Sequence, residues 1–201
     1  MTTEEQILVA ARKVFIEKGF EGTRMQEIAN EACINKALLH YYFRTKEKLF
    51  EQIFTEVFQK IKPAFSNALH PDPDFQAFTN AFIEGYLNLL DELPFLPRFV
   101  IQELNRDPKR FVALMEKQEI PFDSIRQMIQ REVDKKTIQP IAAEQFIINL
   151  IALIVFPYIA QALVKDIFFN KNEAAYHEFL SDRKQKLADF VFNGIGFKKA
   201  F

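Results

Sequence analysis

Apolar residues recur along this chain at intervals of three and four, and no stretch keeps the two-residue alternation of a strand. Ile7, Ala11, Val14 and Phe15 make the stripe of a first helix. Thr3-Glu4-Glu5-Gln6 opens it with capping-box spacing, and Gly19 suits the C′ position that ends it. Met25, Ile28, Ala29 and Ala32 form the apolar face of a second, short helix, opened by Thr23 and Gln26 as a further capping box. Cys33-Ile34 makes a tight turn, and Asn35 is a good N-cap for a third helix. On that helix Leu38, Leu39 and Phe43 share one side; Lys36, Ala37, His40 and Tyr41 fall on the other, with Tyr42 near the boundary. Two short helices joined so closely predict a helix-turn-helix.

Beyond it the pattern stays helical. Leu49, Ile53, Val57 and Ile61, interleaved with phenylalanines, predict a helix from Thr45 towards Lys62 that Pro63 interrupts or ends. His70-Pro71-Asp72-Pro73-Asp74 reads as a linker with a cap, and Leu93-Pro94-Phe95-Leu96-Pro97 as a break after a helix marked by Phe75, Phe78, Phe82, Tyr86 and Leu89. Shorter helices are expected over Phe99–Asn105, Pro108–Lys117 and Pro121–Lys136. Pro140 should open a long apolar helix to about Phe168, kinked near Pro157, and Asn172 should cap a last one, stopped by Gly194. The architecture is all-α.

Charge changes the picture locally. The whole chain has a formal net charge of −1, so it is no general polyanion binder. From Asn35 to Lys48, Lys36, Arg44, Lys46 and Lys48 stand against Glu47, a formal +3. Lysines in the first turn of a helix oppose its dipole, and a bound phosphate reverses that sign. The outward set on the third helix (a cation, a small residue, an imidazole and a phenol) can meet phosphates or base edges.

Other chemistry is sparse. One cysteine allows no intramolecular disulfide and suits a reducing cytosol. There is no Gly-rich phosphate loop, H-E-x-x-H or nucleophile elbow, and the three histidines are scattered. No enzyme, metal site or cofactor is expected. The N-terminus carries acids where an export signal has basic residues, which points to a cytoplasmic protein. Gln145–Val164 holds no charge over the length of a membrane span. Its Gln, Asn and Pro residues, and flanks without a basic cluster, favour a buried subunit interface instead. Of 23 phenylalanines, only Phe15, Phe20 and Phe43 precede residue 49. Phe82, Tyr86, Phe99, Phe122 and Phe156, with Phe111 and Tyr158, could therefore line a cavity for a largely apolar ligand, and a packed core explains most of them equally well.

INKALLHYYFRTKEKLF, after a Gly-Phe-x-Gly-Thr turn and a capped helix, resembles the N-terminal domain of TetR-family transcriptional regulators over roughly the first 60 residues. Cys33 and Ala37 stand where the family usually has glycine, and His40 where it has tyrosine. The resemblance implies a three-helix DNA-binding domain over 1–61 and an effector-binding and dimerisation domain over 62–201. It implies a homodimer on a pseudo-palindromic operator, released by a small apolar effector; a constitutive DNA-binding protein is the alternative. Thr23, Arg24, Asn35, Lys36, Ala37, His40, Tyr41, Tyr42 and Lys46 become the DNA-contacting set. Thr23 and Lys46 would hold phosphates, Tyr41 and Tyr42 would lie close to the backbone, and Lys36, Ala37 and His40 would face bases.

Overall fold

Helices form where the three-and-four spacing places them. The computed structural model describes residues 1–70, 73–94 and 96–198, and among these there is no strand. The order is α1 (Thr3–Gly22), α2 (Met25–Glu31), α3 (Lys36–Tyr42), α4 (Lys46–Ile61), a 3-10 helix (Lys62–Leu69), α5 (Phe75–Glu92), α6 (Leu96–Arg106), α7 (Pro108–Glu116), α8 (Phe122–Asp134), α9 (Ala143–Ile159), α10 (Gln161–Phe168) and α11 (Glu173–Gly194). Of the expected linker and break, Pro71, Asp72 and Phe95 lie outside the described residues.

Two capping boxes sit one residue from their expected places. Thr2, not Thr3, caps α1: its hydroxyl accepts the Glu5 amide while the Glu5 carboxylate accepts the Thr2 amide, at 3.2 and 2.7 Å. At α2 the Glu27 carboxylate accepts the Arg24 amide at 3.0 Å, and Thr23 is instead the C-cap of α1. In both cases a glutamate at the third position wins over a glutamine, because the charged acceptor makes the stronger bond. Gly19 breaks α1 as expected, at φ 68°, and one more turn follows it. Asn35, Asp74 and Asn172 cap as expected, each side chain accepting an amide at 2.8 to 3.1 Å.

The described residues divide into two compact units, Met1–Lys60 with Arg98–Glu119, and Ile61–Pro97 with Ile120–Phe201. In the first, Phe15, Phe20 and Phe50 form a ring triad with centroids 5.3 to 5.8 Å apart, surrounded by buried Ile7, Ala11, Ile28, Leu39 and Leu49. α6 and α7 join this core, Phe99 against Phe50 at 5.2 Å and Phe111 against Phe54 at 5.4 Å.

In the second unit the 3-10 helix packs on α5 at Gly85, where an added Cβ would lie 3.2 Å from Ala64 Cβ. Phe65 meets Phe82, and Phe75 meets Phe146 and Phe197. Apolar residues 143–168 form two helices bent by 73°, broken at Ala160 rather than at Pro157. Among the described residues no single helix is long and apolar enough to cross a membrane. Pro157 has no amide to give the Leu153 carbonyl, and the Arg183 guanidinium donates there instead. Residues 140–142 are not helical as expected. The chain just before them is held to the end of α11 by Gln139 N–H on Ile195 O and Lys198 N–H on Thr137 O, both 2.8 Å. Gly196, at φ 63°, takes the left-handed position expected of Gly194.

Candidate nucleic-acid interface

The site begins with a turn that holds two helices at a fixed angle. After α2, Cys33 takes φ 52°, the left-handed conformation that usually calls for glycine. Ile34 N–H returns to Ala29 O at 3.0 Å, and from α1 the Gln6 amide donates to Ala32 O at 2.7 Å. Asn35 Oδ1 accepts the Leu38 amide at 2.8 Å and starts α3. α3 is thus fixed at its start by a cap and along one side by burial of Leu39 and Phe43.

The opposite side is open. Lys36, Ala37, Tyr41 and Tyr42 are exposed, Tyr41 to 81 %, and the two phenol rings meet edge to face at 5.5 Å. Leu38 departs from expectation: it is 36 % exposed and belongs to this outer surface. The reason is angular. With Leu39 and Phe43 as the buried centre, Leu38 lies about 120° round the helix, beyond the reach of the core. His40 is half-buried, and its Nδ1 lies 3.1 Å from Arg44 O. A carbonyl only accepts, so Nδ1 is the donor in this contact and Nε2 is left for another partner. Arg24, Arg44 and Lys48 are exposed cations just before α2, just after α3 and in the first turn of α4, with Lys48 3.4 Å from Glu51.

Two expected phosphate ligands are placed otherwise. Thr23 is buried, 2 % exposed, and its hydroxyl donates to Gly19 O at 2.6 Å. The Lys46 ammonium donates to Phe20 O at 2.7 Å and Thr23 O at 3.1 Å, and lies 4.4 Å from the centre of the Phe20 ring. A cation on the last carbonyls of a helix is favoured by its dipole, so Lys46 ties the start of α4 to the end of α1. At the α4 start the Glu47 carboxyl is held below the usual carboxylate range, chiefly by a backbone N–H and then by the Thr45 hydroxyl.

Sequence reasoning missed a group from α6 and α7. Arg106 stacks on Phe20 at 4.0 Å, and Arg110 lies 4.7 Å from the same ring and 5.0 Å from Phe50. Glu103, 4 % exposed, accepts from Arg106 Nε and Nη2, while Nη1 donates to Glu21 at 2.7 Å. The sequence holds only a hint, Glu103 and Arg106 at i, i+3 on one helix. Their aromatic partner lies some 80 residues away in the chain, so spacing could not reveal it.

The residues expected to line a cavity are dispersed. Phe82 and Tyr86 pack together at 5.8 Å, and desolvation pushes the Tyr86 hydroxyl up to about 12. Phe99 belongs to the first unit, and Phe122 and Phe156 are exposed. A groove of about 560 Å³ lies elsewhere in the second unit, open to solvent and lined by Leu153, Phe169, Phe179, Arg183, Leu187 and Phe190 among others. Large apolar side chains stand exposed on the same helices: Ile148 and Phe156 on α9, Leu163, Ile167 and Phe168 on α10, and Phe190 on α11.

Residues 7–53 match the family model for bacterial regulatory proteins of the tetR family. YttP of Bacillus subtilis strain 168, a probable HTH-type transcriptional regulator, is 26% identical over 181 residues, 88% of this chain and 86% of that protein. The HTH-type transcriptional repressor NicS of Pseudomonas putida strain KT2440 is 39% identical over 62 residues, 31% of this chain and 29% of that protein. The solved structure of the ketosteroid transcriptional regulator KstR2 of Mycobacterium tuberculosis superposes with a TM-score of 0.73 at 12% identity, covering 98% of this chain and 96% of that one. That last likeness is one of fold. All three are transcriptional regulators by name.

Proposed function

We propose that this chain, whose residues 7–53 match the tetR family of bacterial regulatory proteins, is a transcriptional repressor of that family that binds a pseudo-palindromic operator as a homodimer and leaves it when a small, largely apolar effector binds. The outer surface of α3 carries the reading: a helix capped by Asn35, with Lys36, Ala37, Leu38, Tyr41 and Tyr42 exposed, and with Arg24, Arg44 and Lys48 exposed before and after it in the chain. Exposed cations and phenols there suit phosphate contact, and Lys36 and Ala37 suit base edges. His40 stands at the edge of that surface, half-buried, with Nε2 not engaged by the Arg44 carbonyl. Lys46 and Thr23 act on phosphates through position: Lys46 holds the Phe20 and Thr23 carbonyls to the start of α4, the Thr23 hydroxyl closes on Gly19 O, and a misplaced turn misplaces every amide around it.

The working division assigns 1–61 to DNA and 62–201 to effector and partner, with Arg98–Glu119 packed as part of the former. A second copy of the chain is the natural cover for the apolar side chains left open on α9, α10 and α11. Two recognition helices related by a two-fold axis sit roughly 34–36 Å apart, or a multiple, which favours a palindrome. The effector's place is the second unit, whose ranges hold 15 of the 23 phenylalanines. Constitutive DNA binding is the second reading, favoured by one observation: interior rings such as Phe65, Phe75, Phe78, Phe82 and Phe146 fill space by packing on one another.

The test is selection of bound sequences from random duplexes, followed by a small-molecule screen for release of the winner. An effector weakens operator binding by the same factor that operator weakens effector binding, typically about 5–150-fold. Calorimetry with and without operator measures both. Equal effector affinity in the two titrations would leave the constitutive reading standing.

A further inference from the structure

On the outer surface of α3, Ala37 and Leu38 are adjacent, exposed and wholly apolar, between Lys36 on one side and Tyr41 and Tyr42 on the other. Single exposed leucines are ordinary on protein surfaces. This one stands on a helix that is capped at its start and buried along its other side. Its own amide is held by Asn35 Oδ1, and its neighbour Leu39 is fully buried, so the side chain is carried at a fixed place. Lys36, Arg44 and Lys48 are exposed on α3 and on the segment that follows it, and cations near such a helix suit a phosphate backbone. A leucine cannot satisfy the donors and acceptors that line the major groove. Pressed against an amino or carbonyl edge, it strips water from that group and returns nothing. The one apolar feature of the major groove is the C5-methyl group of thymine.

We propose that Leu38 is a specificity-determining residue that reads a thymine C5-methyl group in each operator half-site, with Ala37 leaving room for the approach. This rests on α3 entering the major groove, the reading given above.

The test uses the full chain and the duplex it selects from a random library. Each thymine of a half-site is replaced in turn by deoxyuridine, which removes the methyl group and leaves every hydrogen-bonding edge intact. At one position per half-site the unmodified chain should bind about fourfold more weakly, the worth of about one buried methyl group. Leu38→Ala, an exposed substitution, should bind the thymine and deoxyuridine duplexes alike, and Ala37→Gly should keep the discrimination. If no deoxyuridine position weakens binding, or if Leu38→Ala discriminates as strongly as the unmodified chain, the assignment is overturned. A chain that enriches no sequence at all would overturn the DNA-binding reading itself, so the two failures are distinct.

Discussion

Cys33 sits at φ 52° in the turn between α2 and α3, a conformation that costs a non-glycine residue about 1–2 kcal/mol. Cys33→Gly should relieve that strain and lose about 0.5–1 kcal/mol to greater unfolded-chain entropy. A net gain of up to about 1 kcal/mol is expected, read as a higher urea midpoint at unchanged slope; a lower midpoint would mean the thiol or its Cβ contributes packing that the geometry does not reveal. Lys46 poses a different question, since its ammonium already serves Phe20 O and Thr23 O. Lys46→Ala should weaken all duplexes about equally while leaving the salt slope unchanged, because a tether releases no counterion. A slope smaller by about one would identify a direct phosphate contact instead. The turn, its strain and the Asn35 cap were legible in the sequence because each is a local event among a few neighbours. The destination of the Lys46 ammonium was not, since two carbonyls more than twenty residues away decide it.

At the scale of elements, α6 is bound into the DNA-facing unit by Arg106, which joins buried Glu103, Glu21 and the face of Phe20. Removing the guanidinium leaves a nearly buried carboxylate unpaired, a loss of about 3 kcal/mol for Arg106→Ala in urea unfolding. Arg106→Leu combined with Glu103→Leu should recover most of it, since no charge is then stranded; an additive double variant would contradict the pairing. A second cycle concerns α9, where Arg183 takes up the Leu153 carbonyl that Pro157 leaves free. Arg183→Met should cost about 1–2 kcal/mol, and clearly less in a Pro157→Ala background, where residue 157 regains an amide for the same carbonyl. Most helices and most helix ends follow from apolar spacing and caps, which are properties of single segments; the split of residues 143–168 into α9 and α10 does not. The attachment of α6 and α7 to the first unit is long-range, and no periodicity encodes it.

For the whole molecule, the open apolar side chains of α9, α10 and α11 make the oligomeric state decisive. Sedimentation at low micromolar concentration should give twice 23.6 kDa. Phe168→Glu, at a position 69 % exposed in the single chain, should halve the mass with little effect on the fold of each copy. A monomer in both cases would remove the need for a palindrome. The apolar surface of α9 and α10 was legible as an uncharged stretch, whereas the dispersal of Phe99, Phe122 and Phe156 was not, because a phenylalanine's partner depends on packing between segments distant in the chain. Selection from random duplexes, with the winner titrated against salt, tests most directly whether paired α3 helices read DNA. The expected result is enrichment of a pseudo-palindrome with half-site centres one helical turn or a multiple apart, bound far more tightly than scrambled duplex of the same composition. Equal affinity for all duplexes, or tight binding of an asymmetric site by a single copy, would contradict it.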